Sequence, residues 1–207
     1  MDIQIRKYCR IQADKVLLNG EIYFEPKQKP GEAHQFLTDI YNRLEIDYRK
    51  FYKMDMLSKL GFLSAELLME GFEKEQPKEN FGIVLFNGSS SLEADKAYQQ
   101  TIQDGADYFP SPSVFVYTLP NIVTGEIAIR NKIHGETAFY VFSQPEYQQI
   151  VDIAKETMLS AGLNYLLVGW LEVCQDMVDG SMILCETTEQ GVCALNAENI
   201  KRIISNP

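Results

Sequence analysis

The sequence predicts an α/β fold, a mostly parallel sheet flanked by helices, as a single domain over residues 1–207. Three observations predict it. Phe81–Phe86 (FGIVLF) is apolar without interruption, as suits a strand covered on both faces of a sheet. Helical and apolar stretches then alternate from residue 54 to residue 173, the pattern of strands joined by helices. Finally, 207 residues with 45% hydrophobic content can bury one proper core.

Taken in order, Ile3–Ile11 and Lys15–Phe24 are β-rich stretches around a turn at Ala13-Asp14, and Glu25–Glu32 (EPKQKPGE) is a turn-rich connector. Ala33–Asp47 has helical character, with Phe36, Leu37, Ile40, Tyr41 and Leu44 on one side. Asp55 is a good N-cap for a helix whose stripe is Leu57, Leu60, Leu63, Leu67 and Leu68, closed by the charged run Glu73–Asn80. Strand Phe81–Phe86 meets the Gly/Ser turn Asn87–Ser91, and Ser91 caps a helix over Leu92–Gln103. That turn lacks the lysine of a phosphate-binding loop and the further glycines of a dinucleotide fingerprint.

Phe109–Pro120 holds three prolines and reads as an extended loop. Asn121 then caps a helix through Arg130, His134-Gly135 is a turn, and Ala138–Phe142 is a strand. Ser143-Gln144-Pro145-Glu146 has the spacing of a capping box, with Ser143 as N-cap of a helix that ends at Gly162. In that helix Tyr147, Ile150, Val151, Ala154, Met158 and Ala161 share an arc of about 100°, with polar residues opposite, so it reads as a surface helix. Asn164–Val173 and Ser181–Thr187 are further strands separated by a loop at Cys174–Gly180. Gly191–Asn206 holds a short strand or turn and a helix at Ala197–Ile204.

A formal net charge of −10 argues against binding nucleic acid or an anionic membrane. It also disfavours direct docking of an acidic carrier protein, the longest basic run being near Tyr48-Arg49-Lys50. The N-terminus lacks a signal-peptide apolar region, so a cytoplasmic, reduced location is the expectation. Cys9, Cys174, Cys185 and Cys193 form no C-x-x-C pair, and each reads as a small apolar residue. No metal or cofactor is expected.

The spacing of Leu119-Pro120-Asn121, Gly125, Ile127-Ala128-Ile129 and Gly135 before an apolar strand resembles the N-terminal half of β-ketoacyl synthases of the thiolase superfamily. Met54-Asp55 before a long helix, and Gly169 with Glu172, resemble the same family across Met54–Thr187. The resemblance implies one half of a thiolase-like fold, a mostly parallel five-stranded sheet, with Ser181–Thr187 as the closing edge strand. Matched on Asn121, Gly125, Ala128 and Gly135, the acylated cysteine falls on Gln144. An amide cannot form a thioester, and neither histidine, His34 or His134, sits with a cysteine. Glutamine at this position resembles the non-condensing chain length factors; the plainer reading is an exposed first-turn residue.

The resemblance implies a non-catalytic subunit of fatty-acid or polyketide (aryl-polyene type) assembly. It would pair as a homodimer or with a full-length ketosynthase and meet an acyl carrier protein only indirectly. The dimer edge would be Ala138, Phe139, Tyr140, Val141 and Phe142, an apolar edge that needs cover. Alternatives are an acyl-thioester-binding or acyl-transfer protein with a reduced pocket at Asn121, Gly125, Ser143 and Gln144, and a homodimer of unrelated regulatory role.

Overall fold

The computed structural model describes residues 2–12, 14–26, 32–105 and 108–205. Ala13 of the expected first turn, most of the Glu25–Glu32 connector and Asn206 lie outside the described residues.

The sheet is built from β1 (Ile3–Gln12), β2 (Lys15–Leu18), β3 (Glu21–Phe24), β4 (Phe81–Asn87), β5 (Thr137–Val141), β6 (Tyr165–Cys174), β7 (Met177–Thr187) and β8 (Cys193–Ala194). Its order is β3-β2-β1-β7-β6-β4-β5, with β8 also paired to β1. The expected mostly parallel five-stranded sheet is thus an eight-stranded mixed one: only β5, β4 and β6 run parallel. Two tight turns impose the antiparallel part. Asn19 and Gly20 both adopt positive φ (52° and 88°), the two-residue hairpin turn that joins β2 to β3. The expected loop Cys174–Gly180 is mostly strand. β6 continues to Cys174, Gln175 turns at φ 53°, and β7 begins at Met177. Such a short connection admits only an antiparallel partner. β7 is therefore interior, between β6 and β1, and not the closing edge strand. β5 is an edge, bonded on one side only to β4.

Helices cover both faces. α1 (Ala33–Arg43), α2 (Met56–Leu68) and α5 (Ile122–Asn131) bury Phe36, Leu60, Leu63, Val123 and Ile127 against Leu85, Leu167, Leu171 and Met182. On the opposite face α6 (Tyr147–Ser160) and α7 (Ala197–Ser205) bury Ile150, Ala154, Met158, Ile200 and Ile203 against Val84, Phe86, Val168 and Ile183. The outer side of α6 is polar, as its periodicity predicted, and Leu159 is the apolar side chain left in solvent. α3 (Leu92–Gln100) and the one-turn α4 (Pro112–Phe115) pack together beyond the carboxyl ends of β4 and β6.

α2 starts as expected, with the Asp55 carboxylate accepting from the Ser58 amide at 3.0 Å. Its apolar stripe, however, widens to the whole circumference. Every residue from Leu57 to Leu68 is buried, including Ser58, Lys59, Ser64 and Glu66. Gly61 is where α2 meets α5 most closely: a Cβ there would stand 2.3 Å from Val123 Cγ2. Gly61→Ala is expected to lower unfolding free energy by about 2 kcal/mol through overpacking, outweighing a helix-propensity gain of about 1 kcal/mol. A chemical denaturation midpoint that rises instead would show that α5 can retreat.

α6 starts later than its capping-box pattern suggests. Glu146, not Ser143, precedes the first helical residue, and no side-chain cap bond forms. Phe142 is still held to the sheet by its amide on Asn87 O at 2.9 Å, and Pro145 biases Gln144 away from helical angles. Gln144 therefore lies outside the helix, exposed in the β5–α6 connection, rather than in the first turn.

Candidate functional site

The carboxyl ends of β4, β5 and β6 meet at one side of the sheet. After β4, the fully buried Asn87 side chain folds the turn on itself, accepting from Ser90 N (2.9 Å) and donating to Ser90 O (2.8 Å). Two donors of that turn are already used. Gly88 N–H and Ser89 Oγ both donate to the carboxylate of Glu172 on β6, the latter at 2.8 Å. An anion bound here would displace the protein's own carboxylate, which argues further against a phosphate site. Ser91 precedes α3 but does not cap it; its hydroxyl donates to Thr118 O at 2.6 Å and ties α3 to the Pro-rich segment.

Ser143 and Gln144 stand exposed where β5 leaves the sheet, and Gln144 Nε2 donates to Glu146 Oε1 at 2.9 Å. Beside Pro145 is a polar recess of about 310 Å³, walled by Arg10, Trp170, Glu172, Asp179 and Ser181. Arg10, 7% exposed, forks onto Asp179 at 3.1 and 2.9 Å. Trp170, midway along β6, is 7% exposed. Arg10 on β1 is far in sequence from Asp179 and Ser181 on β7, so linear reading missed this gathering; Glu172 alone carried a signal, with Gly169, through the family resemblance. Asn121 precedes α5 without a side-chain cap bond and is exposed; Gly125 is half-buried on α5.

The histidines sit apart from the thiols. His34 Nε2 lies 2.8 Å from Lys59 Nζ, and His134 Nδ1 lies 2.9 Å from the Glu79 carboxylate, an exposed pairing that the sequence reading did not foresee. Cys9 and Cys185 are wholly buried, and burial pushes both thiols up to about 12. Burial also raises Cys193, against the opposing pull of Arg202, while Cys174 is exposed at the β6–β7 turn. Iodoacetamide at pH 8 is therefore expected to modify Cys174 first. Cys9 and Cys185 should react only on unfolding, as intact mass would show. The same burial sets a pH dependence. Relative to an ordinary value of 9.0, the raised thiols leave their contribution intact below about pH 9, and it is lost as pH rises towards about 12.

A larger cleft lies elsewhere, about 650 Å³ between the start of α2, α3 and α4. Asn121, Gly125, Ser143 and Gln144 are not among its walls.

No protein-family model matches this chain, and no curated protein matches it. Solved structures do. The ishigamide ketosynthase/chain length factor superimposes with TM-score 0.63 at 15% identity, over 92% of this chain and 63% of that one. A ketosynthase (ApeO) in complex with its chain length factor (ApeC) from Xenorhabdus doucetiae gives 0.59 at 13% identity, over 91% and 80%. A beta-ketoacyl synthase from Burkholderia phymatum gives 0.63 at 11%, over 91% and 59%. The chain thus spans about three-fifths of two of these proteins and more of the third. Its mixed sheet, flanked by helices on both faces, has the fold of the ketosynthases and chain length factors.

Proposed function

We propose that the chain is a non-catalytic ketosynthase-like subunit that pairs with an active ketosynthase in fatty-acid or polyketide assembly of the aryl-polyene type. The observation that carries this reading is the β5 exit, where an exposed amide, Gln144, sits with its side chain on Glu146. A condensing enzyme of the resembling family needs an acyl-accepting thiol at that point. The cysteines of this chain lie instead on β1, β7, β8 and the β6–β7 turn, two of them with strongly raised pKa. Two solved structures of similar fold are of a ketosynthase with a chain length factor, which supports a paired role. In this reading the exposed Ser143 and Gln144, with Asn121 and Gly125, are the remnant of an acyl pocket facing the partner. The β5 edge, Ala138–Phe142, is the contact, and a carrier protein meets the complex through the ketosynthase.

The test is co-expression with a candidate full-length ketosynthase. A 1:1 complex on sedimentation, and no mass increase of this chain after incubation with acyl thioesters, are the expected results. An acyl adduct on this chain would make it an acyl-transfer protein. A homodimer that ignores the ketosynthase would favour an unrelated role.

A further inference from the structure

The cleft of about 650 Å³ at the start of α2 is walled by Met54, Leu57, Ala94 and Val173, all buried, and by Val114 and Tyr117 of the Pro-rich segment. That size suits a small ligand. The Pro-rich wall is firmly held. α4 runs directly into a 3-10 helix at Val116–Thr118. Phe109 N–H donates to Thr101 O at 3.1 Å, and Ser91 Oγ donates to Thr118 O at 2.6 Å. Tyr117 donates to the buried Glu126 at 3.2 Å, and the Phe115 ring packs on Tyr98 with centroids 5.2 Å apart. A cleft preformed in this way costs a ligand little ordering, so burial of its hydrocarbon surface is kept as affinity.

The charges of the lining decide the class of occupant. Glu93 is paired with Lys96 at 2.8 Å. Among the described residues Lys53 and Asp55 have no ion-pair partner; they carry opposite charges and stand two positions apart. The Asp55 carboxylate is also engaged as the cap of α2, on the Ser58 amide. An ionic head group drawn to one of the two is repelled by the other, and it must shed water to enter an apolar cleft. Burial raises the Asp55 carboxyl above its ordinary value, against the pull of the Ser58 amide and Lys59, so the place itself disfavours charge.

We propose that this cleft is a binding site for a small uncharged, largely hydrocarbon molecule, held against Met54, Leu57, Ala94 and Val173 and bearing no ionic head group. The site is separate from β5 and Gln144 and does not depend on the pairing reading: a chain that pairs with a ketosynthase but fails here overturns this inference alone.

Calorimetric titration of the intact chain tests it, with decanol, decanoate and decylammonium as probes that share one tail. The expected result is saturable 1:1 binding of decanol, about fivefold tighter than either ion. Ala97→Trp, an exposed lining position on α3, should weaken decanol at least about tenfold by filling the space. Lys53→Met leaves Asp55 as the one unpaired lining charge. It should tighten decylammonium about threefold and leave decanol unchanged. Both positions are exposed, and circular dichroism checks the fold of each variant. Absent or non-saturable binding, an ion that binds as tightly as decanol, indifference to Ala97→Trp, or unchanged decylammonium in Lys53→Met would each overturn the proposal.

Discussion

Val141→Pro should weaken the pairing proposed for the β5 edge about a hundredfold while leaving the protomer folded. Along β5 the bonds to β4 fall on alternate residues: Phe142 donates to Asn87 O, and Glu136 O accepts from Ile83. Residues 136, 138, 140 and 142 thus face β4, and 137, 139 and 141 turn their amides to the open side. Val141 is half exposed, so proline there takes away an outward donor and no bond of the internal ladder. A pairing strand would meet both a missing donor and a ring, at about 3 kcal/mol or roughly a hundredfold in association. Sedimentation equilibrium reads the association and a thermal melt the protomer. Undiminished association would place the contact on another surface.

Glu66→Ala is expected to have the largest effect on stability among truncations of the polar residues of α2. The Glu66 carboxylate is 4% exposed, accepts from Arg130 Nε at 3.2 Å and pairs with Lys74. The Arg130 guanidinium also lies 4.9 Å over the Tyr48 ring, so its position is fixed from two sides. Truncating Glu66 leaves Arg130, only 18% exposed, without its counter-charge. Removing one partner of such a pair costs about 3 kcal/mol. Urea denaturation would show a lowered midpoint with unchanged slope. A loss below about 0.5 kcal/mol would mean that Arg130 reaches solvent unaided.

The polar residues of α2 also mark where linear reading ends. Asp55 and the leucines announced the helix and its start, because cap and stripe are local. Lys59 and Glu66 were not legible as buried, because their partners, His34, Arg130 and Lys74, arrive from other elements. Phe81–Phe86 was legible as an interior strand for the same local reason that α2's leucines were. Asn19-Gly20 carried a plain hairpin signal that the β-rich reading of Lys15–Phe24 passed over. β7 was truncated at Ser181 because Asp179 and Gly180 are not apolar. Asp179 is held in the strand by Arg10 of β1. The strand before the β5 exit was legible from its apolar run, to within one residue at each end. The recess beside it and the α2–α3–α4 cleft were not, because each gathers residues from several separated segments.

The β1–β7 ladder sets a schedule for synthesis. Arg10 and Asp179, bonded across it, are separated by 169 positions. A ribosome adding about 5–20 residues per second needs roughly ten seconds or more between them. Through that interval Ile5, Cys9 and Ile11 have left the exit tunnel without the strand that shelters them. The nascent chain is therefore a candidate client for holding chaperones, and slow codons placed ahead of β7 would lengthen its exposure without changing the finished molecule.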